Sequence, residues 1–221
     1  FEQAIAQDPA YGLAHAYLAF SLVMLGGYGW APFDVLSQAQ DLATRAIMLA
    51  RDQPAGHRVL SFTQMYLRNH AGAEHSLRRA LGLNPYDAES TQQMGYLLTL
   101  RGKPVEALEY FDRAVRLDPM HPPWYSQDRS LALYSIGDYA GAVAVIQPTP
   151  VLPPWTRTIL AAAYAQLGEL EQARFHAAKI NERDPAFSPV HYAKSGVAFE
   201  HPADFQHFAE GVYLALGLAP E

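Results

Sequence analysis

Three stretches of this chain hold residue types that could do chemistry. In His70-Ala-Gly-Ala-Glu74-His75, two imidazoles flank a carboxylate, a superficial likeness to a metalloprotease helix. Zinc binding of that kind needs the two histidines one helical turn apart, on one face, and this spacing overshoots it. A capped, exposed helix start accounts for the segment. His201, Asp204 and His207 recur every third residue and could share a metal ion, but a proline-initiated helix with scattered polar residues explains them as well. Gly26-Gly27-Tyr28-Gly29 is glycine-rich yet has neither the spacing nor the preceding strand of a phosphate loop. With no cysteine there is no disulfide framework and no thiol nucleophile. The expectation is a chain with no catalytic residues, no cofactor and no metal.

What these residues sit on is legible from one stretch, Ala88 to Pro119. It holds two amphipathic helical patterns separated by Arg101-Gly102-Lys103-Pro104. Gly102 suits the left-handed end of one helix and Pro104 the first turn of the next, so the stretch reads as a helical hairpin. Asn84-Pro85 precedes it and Asp118-Pro119 closes it, and the two prolines lie 34 residues apart. Small residues, Gly95 and Ala107, allow close helix approach while Met94, Leu98 and Phe111 fill the space beside it.

That period and those residues resemble the tetratricopeptide repeat. The resemblance extends along the chain: Leu60, Ser61, Ala73, Leu77 and Ala80 in one repeat, Ser130, Leu133, Ala142 and Ile146 in another, Leu160, Ala161, Ala173 and Ile180 in the last. It implies an all-α fold, a right-handed superhelix (an alpha-alpha solenoid) of helical hairpins with a C-terminal capping helix. The expected organisation is a single domain over 1–221. A partial repeat spans 1–9, repeats run over about 12–52, 55–85, 88–119, 122–150 and 154–185, and a capping segment covers 186–221. Because 1–9 matches only the last third of a repeat, the chain is expected to be part of a longer polypeptide.

Three irregularities interrupt the period. Eight surplus residues, Gly26 to Phe33, lengthen the first turn, and their aromatics Trp30 and Phe33 are expected to fold back over the hairpin end. Gln147-Pro148-Thr149-Pro150 and Pro153-Pro154 predict irregular backbone over 147–154, because proline has no amide donor and clashes with the preceding turn. Pro202-Ala203-Asp204 reads as a helix start and Gly217 as its end, with Phe205, Phe208, Val212 and Leu216 on one face. That helix either caps the end of the stack or crosses into the groove as an internal ligand.

In tetratricopeptide arrays the first helix of each hairpin lines the concave face. The resemblance puts there Phe20; Arg58, Phe62 and Met65; Gln92 and Tyr96; Trp124, Gln127, Leu131 and Tyr134; and Trp155 with Thr158. A surface so rich in aromatic and aliphatic groups fits an amphipathic helix or an extended apolar peptide. Members that clamp a chaperone's C-terminal carboxylate use lysines and asparagines at places held here by Ala16, Phe20, Arg58, Phe62, Gln92 and Tyr96. Only Arg58 can pair with an anion, so a carboxylate clamp is not expected.

Composition agrees. Half of the 221 residues are apolar, enough for a continuous core. A net charge of −6 with scattered basic residues argues against a nucleic-acid partner. Apolar runs such as Tyr17 to Leu25 are far shorter than a membrane span, so the expectation is a soluble, cytoplasmic protein.

A narrower resemblance rests on His121-Pro-Pro-Trp-Tyr125, Leu131-Ala-Leu-Tyr134, Asp184-Pro-Ala-Phe187, Pro202-Ala-Asp-Phe205 and Gly217-Leu-Ala-Pro220. These are similar to the C-terminal repeat region of bacterial class III adenylate/guanylate cyclase-like proteins, and some winged-helix regulators carry similar tails. The resemblance implies a non-catalytic protein or peptide interaction module in a signalling protein whose output domain lies N-terminal. The competing expectation is a small-ligand sensing or enzymatic helical-repeat domain, which requires an enclosed pocket with converging polar groups.

Overall fold

The computed structural model describes residues 1–27, 30–147, 149 and 151–219. Among them the regular elements are helices: α1 (Glu2–Gln7), α2 (Gly12–Leu25), α3 (Phe33–Leu49), α4 (Pro54–Tyr66), α5 (His70–Leu83), α6 (Ala88–Leu100) and α7 (Pro104–Leu117). There follow α8 (Trp124–Ser135), α9 (Tyr139–Ile146), α10 (Pro154–Gln166), α11 (Leu170–Arg183), α12 (Pro189–His191) and α13 (Pro202–Leu216). A π-helical turn over Tyr192–Gly196 continues α12. Two compact units divide the chain, Phe1–Leu97 and Leu98–Glu221.

The same few contacts end and restart the helices in four of the hairpins. At four turns an amide reaches back five residues, Asn69 to the Gln64 carbonyl, Lys103 to Leu98, Asp138 to Leu133 and Glu169 to Tyr164, at 2.9–3.0 Å. This closure satisfies carbonyls that the helix end orphans, and it needs a left-handed residue just before the donor. Gly102, Gly137 and Gly168 fill that place with φ of +70°, +82° and +79°. In the α4–α5 turn the place belongs to Arg68, a non-glycine residue with φ of +60°. The turn is short, because the Asn69 side chain accepts from the Gly72 amide and so starts α5 at His70.

Between hairpins a second device recurs. The side chains of Asp8, Asn84, Asp118 and Asp184 each accept from the amide two residues on, at 2.9, 3.0, 3.1 and 3.2 Å. This Asx turn is why the repeat ends on Asp or Asn followed by proline.

In the first unit α2 packs on α3, α4 on α5, and α4 on both α2 and α3. Ala19, Val23, Ala39, Ala43, Val59, Ala73, Leu77 and Ala80 are wholly buried there, small side chains letting neighbouring helices come close. Ser76 on α5 donates to Gln64 on α4 at 2.8 Å. Of the two aromatics in the lengthened first turn, Trp30 lies half-buried over Gly27, whereas Phe33 is 77% exposed. Phe33 is the first residue of α3, so its side chain leaves the helix on the solvent side and cannot staple anything. Tyr28 and Gly29 of that turn lie outside the described residues.

In the second unit α7 packs on α8, α8 on α9, and α10 on both α9 and α11. Ser130 of α8 donates to the Ala142 carbonyl of α9 at 2.9 Å. Helix α9 stops at Ile146 and α10 begins at Pro154, so the proline-rich break lies between them; Pro148 and Pro150 lie outside the described residues. Helix α13 ends where expected, Gly217 taking the left-handed conformation with φ of +67°. Of the chain beyond it, Pro220 and Glu221 lie outside the described residues.

Candidate partner-binding surface

Among the described residues no three histidines, aspartates or glutamates gather into a metal site. His70 is buried in the first turn of α5 and His75 is exposed. His207 faces Tyr139, its Nε2 2.9 Å from that hydroxyl, while His201 lies against Gly102. No described helix is long and apolar enough to cross a membrane.

In the first unit the face carried by the first helices has an aromatic strip. The rings of Phe20 on α2 and Phe62 on α4 are 5.2 Å apart and tilted, and Phe62 meets Tyr66 edge-on at 5.2 Å. Phe20 and Phe62 remain half-buried, as does Tyr96 one repeat on. Arg58 lies one turn before Phe62, 8% exposed, and pairs with Glu89 of α6 at 2.5 Å. Its carbonyl accepts from Gln93 Nε2 at 2.9 Å. Met65 and Gln92 are wholly buried.

The corresponding face of the second unit is filled differently. Trp124 is 38% exposed and stands edge-on to Tyr125 at 4.4 Å. Trp155 on α10 is half-buried, and its indole N–H donates to Gln127 Oε1 on α8 at 3.4 Å. Leu131 and Tyr134 are each 1% exposed. The Tyr134 ring stacks on His207 at 5.0 Å and meets Phe208 edge-on at 5.4 Å, both from α13. Burial pushes the Tyr134 phenol well above its ordinary range, so it stays a proton donor.

Six of the twelve expected residues, Phe20, Phe62, Tyr96, Trp124, Gln127 and Trp155, thus keep partial exposure. Arg58, Met65, Gln92, Leu131, Tyr134 and Thr158 are buried. Absent from the face expected from the sequence are Tyr66, Glu89, Gln93 and His207, the last of which the sequence offered only as a metal ligand. Tyr66 could have been found, since it lies one turn from Phe62 on the same helical face. The pairings of Glu89, Gln93 and His207 span too much chain for any local signal.

A cleft lined by Thr158, Ala161, Ile180, Val212 and Ala215 is apolar and too narrow to admit a water molecule, so it does not have the volume of a small-molecule site.

No protein-family model matches the chain. The fold is nonetheless that of an all-α solenoid built from tetratricopeptide-type hairpins. Its solved counterparts include PilW, a widely conserved type IV pilus biogenesis factor, at a TM-score of 0.67 and 22% identity, covering 94% of this chain and 87% of that one. TTC0263, a thermophilic tetratricopeptide protein of Thermus thermophilus, superposes at a TM-score of 0.65 and 19% identity, covering 91% of this chain and 98% of that one. A tetratricopeptide repeat-containing thioredoxin of Arabidopsis thaliana, TTL4, is 31% identical over 113 residues, half of this chain. The chain covers 16% of that relative's length.

Proposed function

We propose that this chain is a non-catalytic interaction module that binds a protein or peptide segment across the first-helix faces of its repeats. The observation that carries the reading is the Phe20–Phe62–Tyr66 strip, three touching aromatic rings from two helices, two of them half-buried. Large aromatics left partly wet on a rigid face are what a hot spot consists of, since covering them recovers burial energy without ordering new backbone. The partner fitting this face is an apolar or amphipathic segment. Its charge preference is weak, because the Arg58 guanidinium is already engaged by Glu89.

The experiment is to pan a display library of amphipathic peptides against the intact chain and titrate the selected peptides with Phe62→Ala and Tyr96→Ala. Each substitution is expected to weaken binding by about 30-fold, the ~2 kcal/mol of a buried aromatic anchor. Unchanged affinity in both would remove this face from the account.

The finer reading makes the module the regulatory C-terminal part of a larger bacterial, cytoplasmic signalling protein of the adenylate cyclase-like kind. What supports it is the resemblance carried by His121 to Tyr125, Asp184 to Phe187 and Pro202 to Phe205. The sequence of the full-length gene product tests it: a cyclase domain upstream agrees, and a winged-helix domain would move the module to a transcriptional regulator.

A further inference from the structure

Helix α13 lies where a bound helix would. In the register of the repeats Tyr134 and Thr158 point to the first-helix face, and both are covered: Tyr134 by His207 and Phe208, Thr158 in the cleft closed by Val212 and Ala215. At Gly211 the two surfaces touch so closely that a Cβ would lie 2.1 Å from the Tyr134 hydroxyl and 3.1 Å from the Ala162 Cβ. Phe208, Gly211, Val212 and Ala215 are all buried, at spacings of three, one and three residues, which is one stripe of a helix. The helix rests mainly on α10, with a smaller contact on α11 and a slight one on α8.

The seat is imperfect. Tyr213 Oη and Asp204 Oδ2 are buried without a hydrogen-bond partner, which costs free energy that release into water would recover. The start of α13 is held by polar contacts at the α6–α7 turn, Arg101 Nε to Glu200 at 2.8 Å and the Glu200 amide to the Leu100 carbonyl at 2.7 Å.

We propose that α13 is a displaceable occupant, bound in cis, of a helix-docking face on the second unit. The partner that replaces it is an amphipathic helix carrying an aromatic residue, then small, branched and small residues three, four and seven positions later. This deepens the proposed interaction function and rests on it. It assigns the second face a helical ligand and makes its availability conditional on releasing α13.

Two measurements on the intact chain test it. In native-state hydrogen exchange, Val212 and Tyr213 are expected to exchange at least about tenfold faster than Leu160 and Ala163, because α13 opens without unfolding α10. Equal rates would overturn the proposal. In the second, a labelled peptide of residues 200–219 is titrated against the wild-type chain and against Gly211→Val, whose side chain denies α13 its seat. The peptide is expected to bind the variant at least about tenfold more tightly, and a peptide carrying the same substitution is expected not to bind it. Equal affinity for both chains, or global unfolding of the variant, would overturn the proposal. The Phe62→Ala titration reads the first unit, so either reading can fail without the other.

Discussion

The hydroxyl of Tyr134 on α8 donates to the main-chain carbonyl of His207 on α13, 3.1 Å away, and accepts from Gln166 Nε2 at 3.4 Å. One buried phenol thus joins a first-helix face to the C-terminal helix. Tyr134→Phe keeps the ring contacts with Tyr139, His207 and Phe208 but removes both hydrogen bonds, leaving the His207 carbonyl without this donor. The expected loss is about 1 kcal/mol. Urea denaturation checks it: the midpoint falls while the slope, which reports the area exposed, stays the same.

Arg68 makes a second prediction. Its φ of +60° stands where three other turns place glycine at +70° to +82°. A left-handed side-chain-bearing residue costs roughly 1–2 kcal/mol, and the Cβ is the cause. Arg68→Gly is expected to raise stability by up to about 1 kcal/mol, the remainder being lost with the side chain and to the freer unfolded chain. Gly102→Ala is expected to do the reverse and more, since a Cβ there would also lie 2.9 Å from the His201 ring. Thermal unfolding of the two variants against wild type decides both signs.

That turn also marks how far the sequence could be read. The hairpins were legible because their turn chemistry is local: glycine supplies the left-handed residue, Asx-Pro the link to the next hairpin, and small residues the close helix contact. Arg68 carries no such mark, and only its register with Gly102, Gly137 and Gly168 betrays it. Phe33 misled because an aromatic in a loop was expected to hide, yet the helix begins at that residue and turns it outward. The sequence does not choose between cap and groove for α13, because the stripe of Phe208, Val212 and Leu216 reads alike in either setting. The informative residue was Gly211, mid-helix and in line with that stripe, a sign of close approach that gained meaning only beside Tyr134.

The Arg58–Glu89 pair yields a third expectation. Arg58 is largely buried, whereas the Glu89 side chain is 49% exposed, so solvent screens the pair and its worth is modest. Glu89→Ala is expected to cost about 0.5–1 kcal/mol, most of it from leaving a buried guanidinium without its counter-charge. It should also free Arg58 for an acidic partner. Peptides with an added aspartate or glutamate are expected to gain affinity for the variant relative to wild type, and equal selectivity in a paired titration would count against Arg58 facing the partner.

His176 sets the acid limit. Its ring stacks on Tyr164 at 5.4 Å, and its Nδ1 lies 3.3 Å from Arg157 Nη1, an arrangement in which the neutral imidazole accepts from the guanidinium. Burial, and then the Arg157 charge, lower its pKa from 6.5 to about 4. Between those values the unfolded chain takes up a proton that the folded chain refuses, so stability is full above pH 6.5 and declines as the pH falls towards 4. The ring is only half-buried, so the slope should be gentler than for a sealed site. His176→Gln is expected to flatten the stability profile between pH 6.5 and about 5, above the range where most carboxylates titrate. An NMR titration of the wild-type ring supplies the direct check, since a midpoint near 6.5 would remove the effect.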